Sequence, residues 1–122
     1  MNNGNEILYI IENNWDDRIY NEVIEFVIEN GMELYQEDFD MIVDYVVLDD
    51  INGISLKGFD KEKEDFGYTL ISGKLLINVC VLGYSHFDRD DHLVGSADEV
   101  VTMEFSFVYK NGKCDGFECR CL

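Results

Sequence analysis

The spacing of apolar residues divides the chain into a helical first third and a strand-forming remainder. Ile19, Val23, Phe26 and Val27 recur with a helical period while Glu22, Glu25 and Glu29 fall largely opposite, which predicts a helix over residues 16–30. Asp16 is placed as its N-cap, with Trp15 set to staple against Tyr20 and Gly31 as the C-terminal stop. Before it, residues 1–5 read as a polar, frayed start, and the apolar run Glu6–Ile11 fits either a helical turn or a strand. Leu34, Tyr35, Phe39, Ile42, Val43, Val46 and Val47 approximate helical spacing again, predicting a second helix that ends near Tyr45, while Tyr45–Leu48 is itself β-prone and allows a strand instead. Asn52-Gly53 is then a strong hairpin signal, turning Asp44–Asp50 back onto Ile54–Phe59. The mixed charges of Asp60–Asp65 mark a solvated turn.

From Gly67 onward the pattern is that of strands. Gly67–Ile71 begins one, Ser72-Gly73 bends it, and Lys74–Tyr84 continues it. Leu75–Leu82 is apolar on both pleat faces, as expected of a central strand covered on each side. Val101, Met103, Phe105, Phe107 and Tyr109 alternate with polar residues, so this strand is half-buried. Asn111-Gly112 turns it into the last strand. A plain two-residue turn there sets Phe105 opposite Glu118 and Met103 opposite Arg120, placing charges on the apolar face. A one-residue shift instead pairs Phe107 with Phe117, Phe105 with Cys119, Met103 with Cys121 and Glu104 with Arg120. Burial favours the shifted register and predicts a bulged turn at Asn111-Gly112. The fold class that follows is α+β, a single domain of one or two helices packed on an antiparallel sheet of four to five strands.

Charge changes this picture most. The 122 residues include 26 acidic and 9 basic side chains, a net charge of −17, alongside 47% hydrophobic residues that provide for a packed core. Such an excess opposes compaction and favours a basic partner. Direct nucleic-acid binding is not expected, because the nine cations are scattered and form no basic stripe. No stretch reaches the roughly 20 apolar residues of a membrane helix, and residues 1–20 lack the features of a signal peptide. The expected location is therefore the cytoplasm, with the four cysteines reduced.

Those cysteines allow two readings. As small apolar side chains they belong in the core. As soft ligands, Cys114, Cys119 and Cys121 fall within eight residues, and Cys80, His86 or His92 completes a tetrahedral set. The predicted metal site is a structural Zn2+ held by Cys80, Cys114, Cys119 and Cys121. Catalysis is not expected, because no cysteine sits in an electropositive setting beside His86 or His92, and no phosphate loop or dinucleotide fingerprint is present.

The carboxylates cluster at element ends and loops. Asp49-Asp50, Glu62 with Glu64-Asp65, and Asp88 with Asp90-Asp91 form the predicted partner-binding set, where carboxylates stand in for backbone phosphates. A small, acidic, single-domain chain without a signal peptide or catalytic motif resembles the anti-CRISPR inhibitors of phages and mobile elements, particularly those directed at Cas9. The resemblance lies in size and charge. It implies stoichiometric binding to a Cas9-type effector that blocks guide or target nucleic acid from basic surfaces. That group shares no common fold, so no residue role carries over. Two further readings are an immunity or antitoxin protein that neutralises a basic nuclease toxin, and a small zinc-binding accessory protein.

Overall fold

Residues 3–122 are described by the computed structural model. Helix α1 spans Gly4–Tyr35, and a short 3-10 turn at Gln36–Asp38 follows it. Strands β1 (Tyr45–Lys63), β2 (Thr69–Phe87), β3 (Asp90–Lys110) and β4 (Lys113–Cys121) form one antiparallel sheet in the order β1-β2-β3-β4. The fold is thus α+β, with one long helix on a four-stranded meander. Among the described residues no helix is long and apolar enough to cross a membrane.

The helix is twice as long as its pattern predicts. Met1 and Asn2 of the expected frayed start lie outside the described residues, but Asn3 is an N-cap whose side chain accepts from the Glu6 N–H at 3.0 Å. Asp16 is therefore no N-cap, and Gly31 is an interior helical residue packed against Val46. The helix start expected at Asp16 is instead a kink: Trp15 leaves helical geometry (φ −136°, ψ 21°) without ending the helix. Asn13 and Asn14 turn their amides onto the carbonyls of Tyr9 and Ile10, side-chain bonds that compete with a regular helix interior.

Burial along α1 advances in steps of four, through Ile7, Ile11, Ile19, Val23, Val27, Gly31 and Tyr35, with half-buried Trp15 in the same series. Each step of four overshoots a turn by about 40°, so the contact line spirals around the helix and crosses the twisted sheet. Gly4 lies beside Leu56 and Phe59 while Gly31 meets Val46, so α1 runs antiparallel to β1. Midway it meets β4. Trp15 does not staple to Tyr20, which is exposed; it stacks on Phe117 at 4.7 Å and tilts against Phe107 at 5.2 Å. Aromatic pairs of this kind contribute about 0.5–1.5 kcal/mol beyond their burial. Arg18 donates to the Phe117 carbonyl.

No second helix follows. The chain from Phe39 to Asp44 crosses the end of the core, with Phe39 and Val43 buried, before β1 begins at Tyr45. Gln36 secures this crossing, donating to the Met41 carbonyl and accepting from the Val43 N–H, each at 3.0 Å. Asn52-Gly53 makes no hairpin either. It lies within β1 at a register shift between Ile51 and Gly53, one of three such irregularities along that strand. The charged stretch at Asp60–Asp65 pairs as strand through Lys63, and the turn falls at 64–68, closed by the Glu64 N–H donating to the Tyr68 carbonyl. β1 is an edge strand, and its bulges and charged side chains discourage pairing with a foreign strand.

The last hairpin keeps the register that burial demanded. Met103 pairs with Cys121, Glu104 with Arg120 and Phe105 with Cys119. The bulge, however, is not at Asn111-Gly112, which makes a tight turn between Lys110 and Lys113 with both φ values positive. It lies at Gly116-Phe117, two residues set against Phe107 between the pairs Val108–Asp115 and Ser106–Glu118, and Gly116 adopts φ +67°.

Residues at odd positions of β2 and β3, from Ile71 to Val81 and Val101 to Phe107, face α1 and form the core. The even positions face away. The expectation that β2 is covered on both sides is corrected here, because no element among the described residues packs on that second face. Leu76, Leu82 and Tyr84 are half-buried there, and Val100 is 55% exposed.

Gly83 positions the crossing segment over the core, since a Cβ there meets both Phe39 and Val43 at 2.8 Å. Gly83→Ala is expected to lower stability by about 1–3 kcal/mol, measured by urea unfolding, because two packed side chains must shift.

Candidate functional site

The Gly116 bulge decides the fate of the cysteines. It brings Cys114 opposite Tyr109, so Cys114, Cys119 and Cys121 all share the core face. Cys80 lies between Val79 and Val81 on β2 and points to the opposite face. The structure therefore does not bring the four predicted zinc ligands together, and no group of three or more ligand side chains converges on a metal position among the described residues. Burial raises all four thiols, and Cys121, beside Glu22 and Cys119, is pushed up to about 12. Its thiol donates to the Glu22 carbonyl. Cys114, Cys119 and Cys121 pack against the core, whereas Cys80 does not.

The carboxylates behave differently. Because α1 runs antiparallel to β1, the second half of the helix lies beside the start of β1, the end of β2 and the start of β3. Residues 22–53 and 78–100 together carry fifteen of the 26 acidic side chains and one of the nine basic ones, Arg89. One half of the molecule thus holds −14 of the net −17. The other half is nearly balanced, eleven acidic against eight basic.

Within the acidic half, strand pairing sorts side chains on the open face into rows. Asp50 is opposite Cys80, which is opposite Asp98; Val47 is opposite Leu82, which is opposite Ser96; Tyr45 is opposite Tyr84, which is opposite Leu93. The rings of Tyr45 and Tyr84 stack at 5.2 Å with planes 8° apart. Asp91 anchors this end, accepting from the Tyr45 hydroxyl at 2.9 Å and meeting His86 Nδ1 at 2.8 Å. Those bonds, from His86 first and Tyr45 second, hold its carboxyl below the usual range. Tyr45 is raised, first by burial and then by that bond. The Asp44 N–H donates to the Tyr84 carbonyl, its carboxylate accepts from the His86 N–H, and the Ser85 hydroxyl donates to the Ile42 carbonyl. The acidic crossing segment is thereby tied to β2.

Of the predicted partner-binding residues, Asp49 and Asp50 on β1 and Asp88, Asp90 and Asp91 at the β2–β3 turn lie in this half. Asp88-Arg89 makes a tight turn, with both residues at positive φ, between two long strands. Glu62, Glu64 and Asp65 lie at the far end, near Lys61, Lys63 and the Lys110–Tyr68 contact. Glu25, Glu29, Glu33, Asp38, Asp98, Glu99 and the two tyrosines were outside the predicted set. For the tyrosines a signal existed, since Tyr45 and Tyr84 hold the polar-face phase of strands whose neighbours Val46 and Ser85 are buried.

Asp38 and Glu99 approach across this half. Partial burial, then a hydrogen bond and repulsion from Asp38, then Asp98, push the Glu99 carboxyl up to about 7. Burial and then Glu99 raise the Tyr35 phenol.

Comparison with protein-family models, curated proteins and solved structures returns no match. Fold and surface define the class: an α+β domain presenting an acidic, aromatic sheet face.

Glu99 retains its proton in the folded state to a higher pH than when unfolded. Stability from this group is therefore present below about pH 4.5 and declines as pH rises toward 7. Glu99→Gln should flatten the pH dependence of the melting temperature across that window and raise it at neutral pH; an unchanged profile contradicts the assignment.

Proposed function

We propose that the protein is a non-catalytic inhibitor that docks through its acidic half on the basic nucleic-acid-binding surface of another protein. A Cas9-type effector is the first candidate, encountered in the cytoplasm of a bacterial host cell. The observation that carries this reading is the fifteen-to-one ratio of acidic to basic side chains in residues 22–53 and 78–100. Solubility alone asks for net charge and is indifferent to where it sits. A surface that replaces a polyanion needs the charge concentrated, where it steers a basic groove into contact and then occupies the phosphate positions.

The open face adds what carboxylates alone lack. Val47, Leu82, Tyr45, Tyr84 and Leu93 supply apolar and aromatic area inside an acidic rim, the arrangement in which buried contacts give affinity and peripheral charges give rate. Leu93 is 58% exposed. The raised thiols argue against a cysteine nucleophile, which needs an electropositive setting.

The test is inhibition of DNA cleavage by a purified Cas9-type effector, with charge reversal at each end of the domain. Lysine at Asp49, Asp50 and Asp98 should weaken inhibition at least about tenfold, whereas lysine at Glu62, Glu64 and Asp65 should change it less than about twofold. Inhibition should also fall steeply between about 50 and 500 mM salt. Equal sensitivity of both ends, or indifference to salt, rejects the reading. Neutralisation of a basic nuclease toxin with no effect on the effector would instead assign an antitoxin.

A further inference from the structure

The stacked tyrosines give the acidic face a chemical preference among cations. Tyr45 and Tyr84 come from adjacent strands, directly opposite one another, and their planes differ by 8° at 5.2 Å. Nothing among the described residues covers their side of the sheet. The Asp91 carboxylate is fixed at one border by His86 and by the Tyr45 hydroxyl, and the Asp50–Cys80–Asp98 row forms the other. Between the two borders lie Val47 and Leu82, so a group entering here loses water on one side while remaining near carboxylates.

Two protein cations compete for such a place. An ammonium ion is compact, strongly hydrated and best left in water. A guanidinium is planar and weakly hydrated, stacks on an aromatic face, and forks toward a carboxylate at its edge. A stacked tyrosine pair with a free outer ring face, bordered by aspartates, fits the second. Ordinary acidic surface, with carboxylates spread over polar loops, shows no such discrimination.

We propose that this face is an arginine-reading surface, taking the guanidinium groups of an arginine-bearing segment of the partner over the Tyr45–Tyr84 stack. This rests on the docking function proposed above and specifies the chemistry of the partner: a basic surface whose contact residues are arginines rather than lysines. The partner's aliphatic arginine stems lie over Val47 and Leu82, and its guanidinium edges turn to Asp91 on one side and to Asp50 and Asp98 on the other.

The test uses nona-arginine and nona-lysine peptides, titrated against the full chain at one fixed ionic strength. Nona-arginine should bind about fivefold tighter. Tyr84→Leu should bring the two peptides to parity, while Tyr84→Phe, which keeps the ring, retains the preference. Nona-arginine should also shift the ring-proton NMR signals of Tyr45 and Tyr84 in the unmodified chain, a readout that does not depend on any variant folding. Parity in the unmodified chain, a preference that survives Tyr84→Leu, or unmoved tyrosine signals each overturn the inference. If both peptides bind equally and in a salt-dependent way, docking through charge stands and arginine reading falls. If neither binds, both fall.

Discussion

Mutual repulsion among fifteen carboxylates gathered in one half of a small domain is the constraint around which the rest is built. Each adds to a field that opposes closure of the chain, and the Asp38–Glu99 approach shows it locally, where one carboxyl holds a proton toward neutrality. What opposes the field is an apolar contact running the full length of the molecule. The four-residue stripe of α1 crosses the sheet from Phe59 to Val46, and the fully buried side chains of β2 and β3 lie beneath it. Burial on the order of 25 cal/mol per Å2 of apolar surface accumulates along such a contact, while surface repulsion is screened over about 8–10 Å. The long core is what allows a concentrated charge.

The sheet does two jobs with its two faces. One is filled by α1, by Trp15 between the aromatic side chains of β3 and β4, and by three protonated thiols. No element among the described residues covers the other, yet it holds leucines, valines and a tyrosine pair in the acidic half. Exposed apolar area of this kind is a liability for a solitary domain, and the surrounding carboxylates limit self-association by repelling a second copy. The same rim attracts a surface of opposite sign.

How much of this was legible in the sequence depended on the range of the forces involved. The β3–β4 register was readable because a one-residue slip places Glu118 and Arg120 on the core face, a cost visible in the residues themselves. The bulge that achieves it moved to Gly116, since Asn111-Gly112 suits a tight turn already. The same dipeptide at Asn52-Gly53 misled. Folding β1 back there would forfeit the pairing of Tyr45–Lys63 with β2, and the long partner strand outweighs a local turn preference. The helix start read at Asp16 is a kink within a longer helix, because Ile7 and Ile11 share the stripe that continues at Ile19. The polarity of charge could not be read locally, because it arises when antiparallel topology lays residues 22–53 beside residues 78–100.

The central claim is that the acidic half is the surface that meets a partner. Hydrogen exchange of the chain, alone and mixed with a Cas9-type effector, addresses it without any substitution. The account predicts slowed exchange in residues 45–50, 80–84 and 91–98, with residues 61–68 and 110–113 unchanged. Protection confined to the Lys61–Tyr68 end, or no protection anywhere, would contradict it.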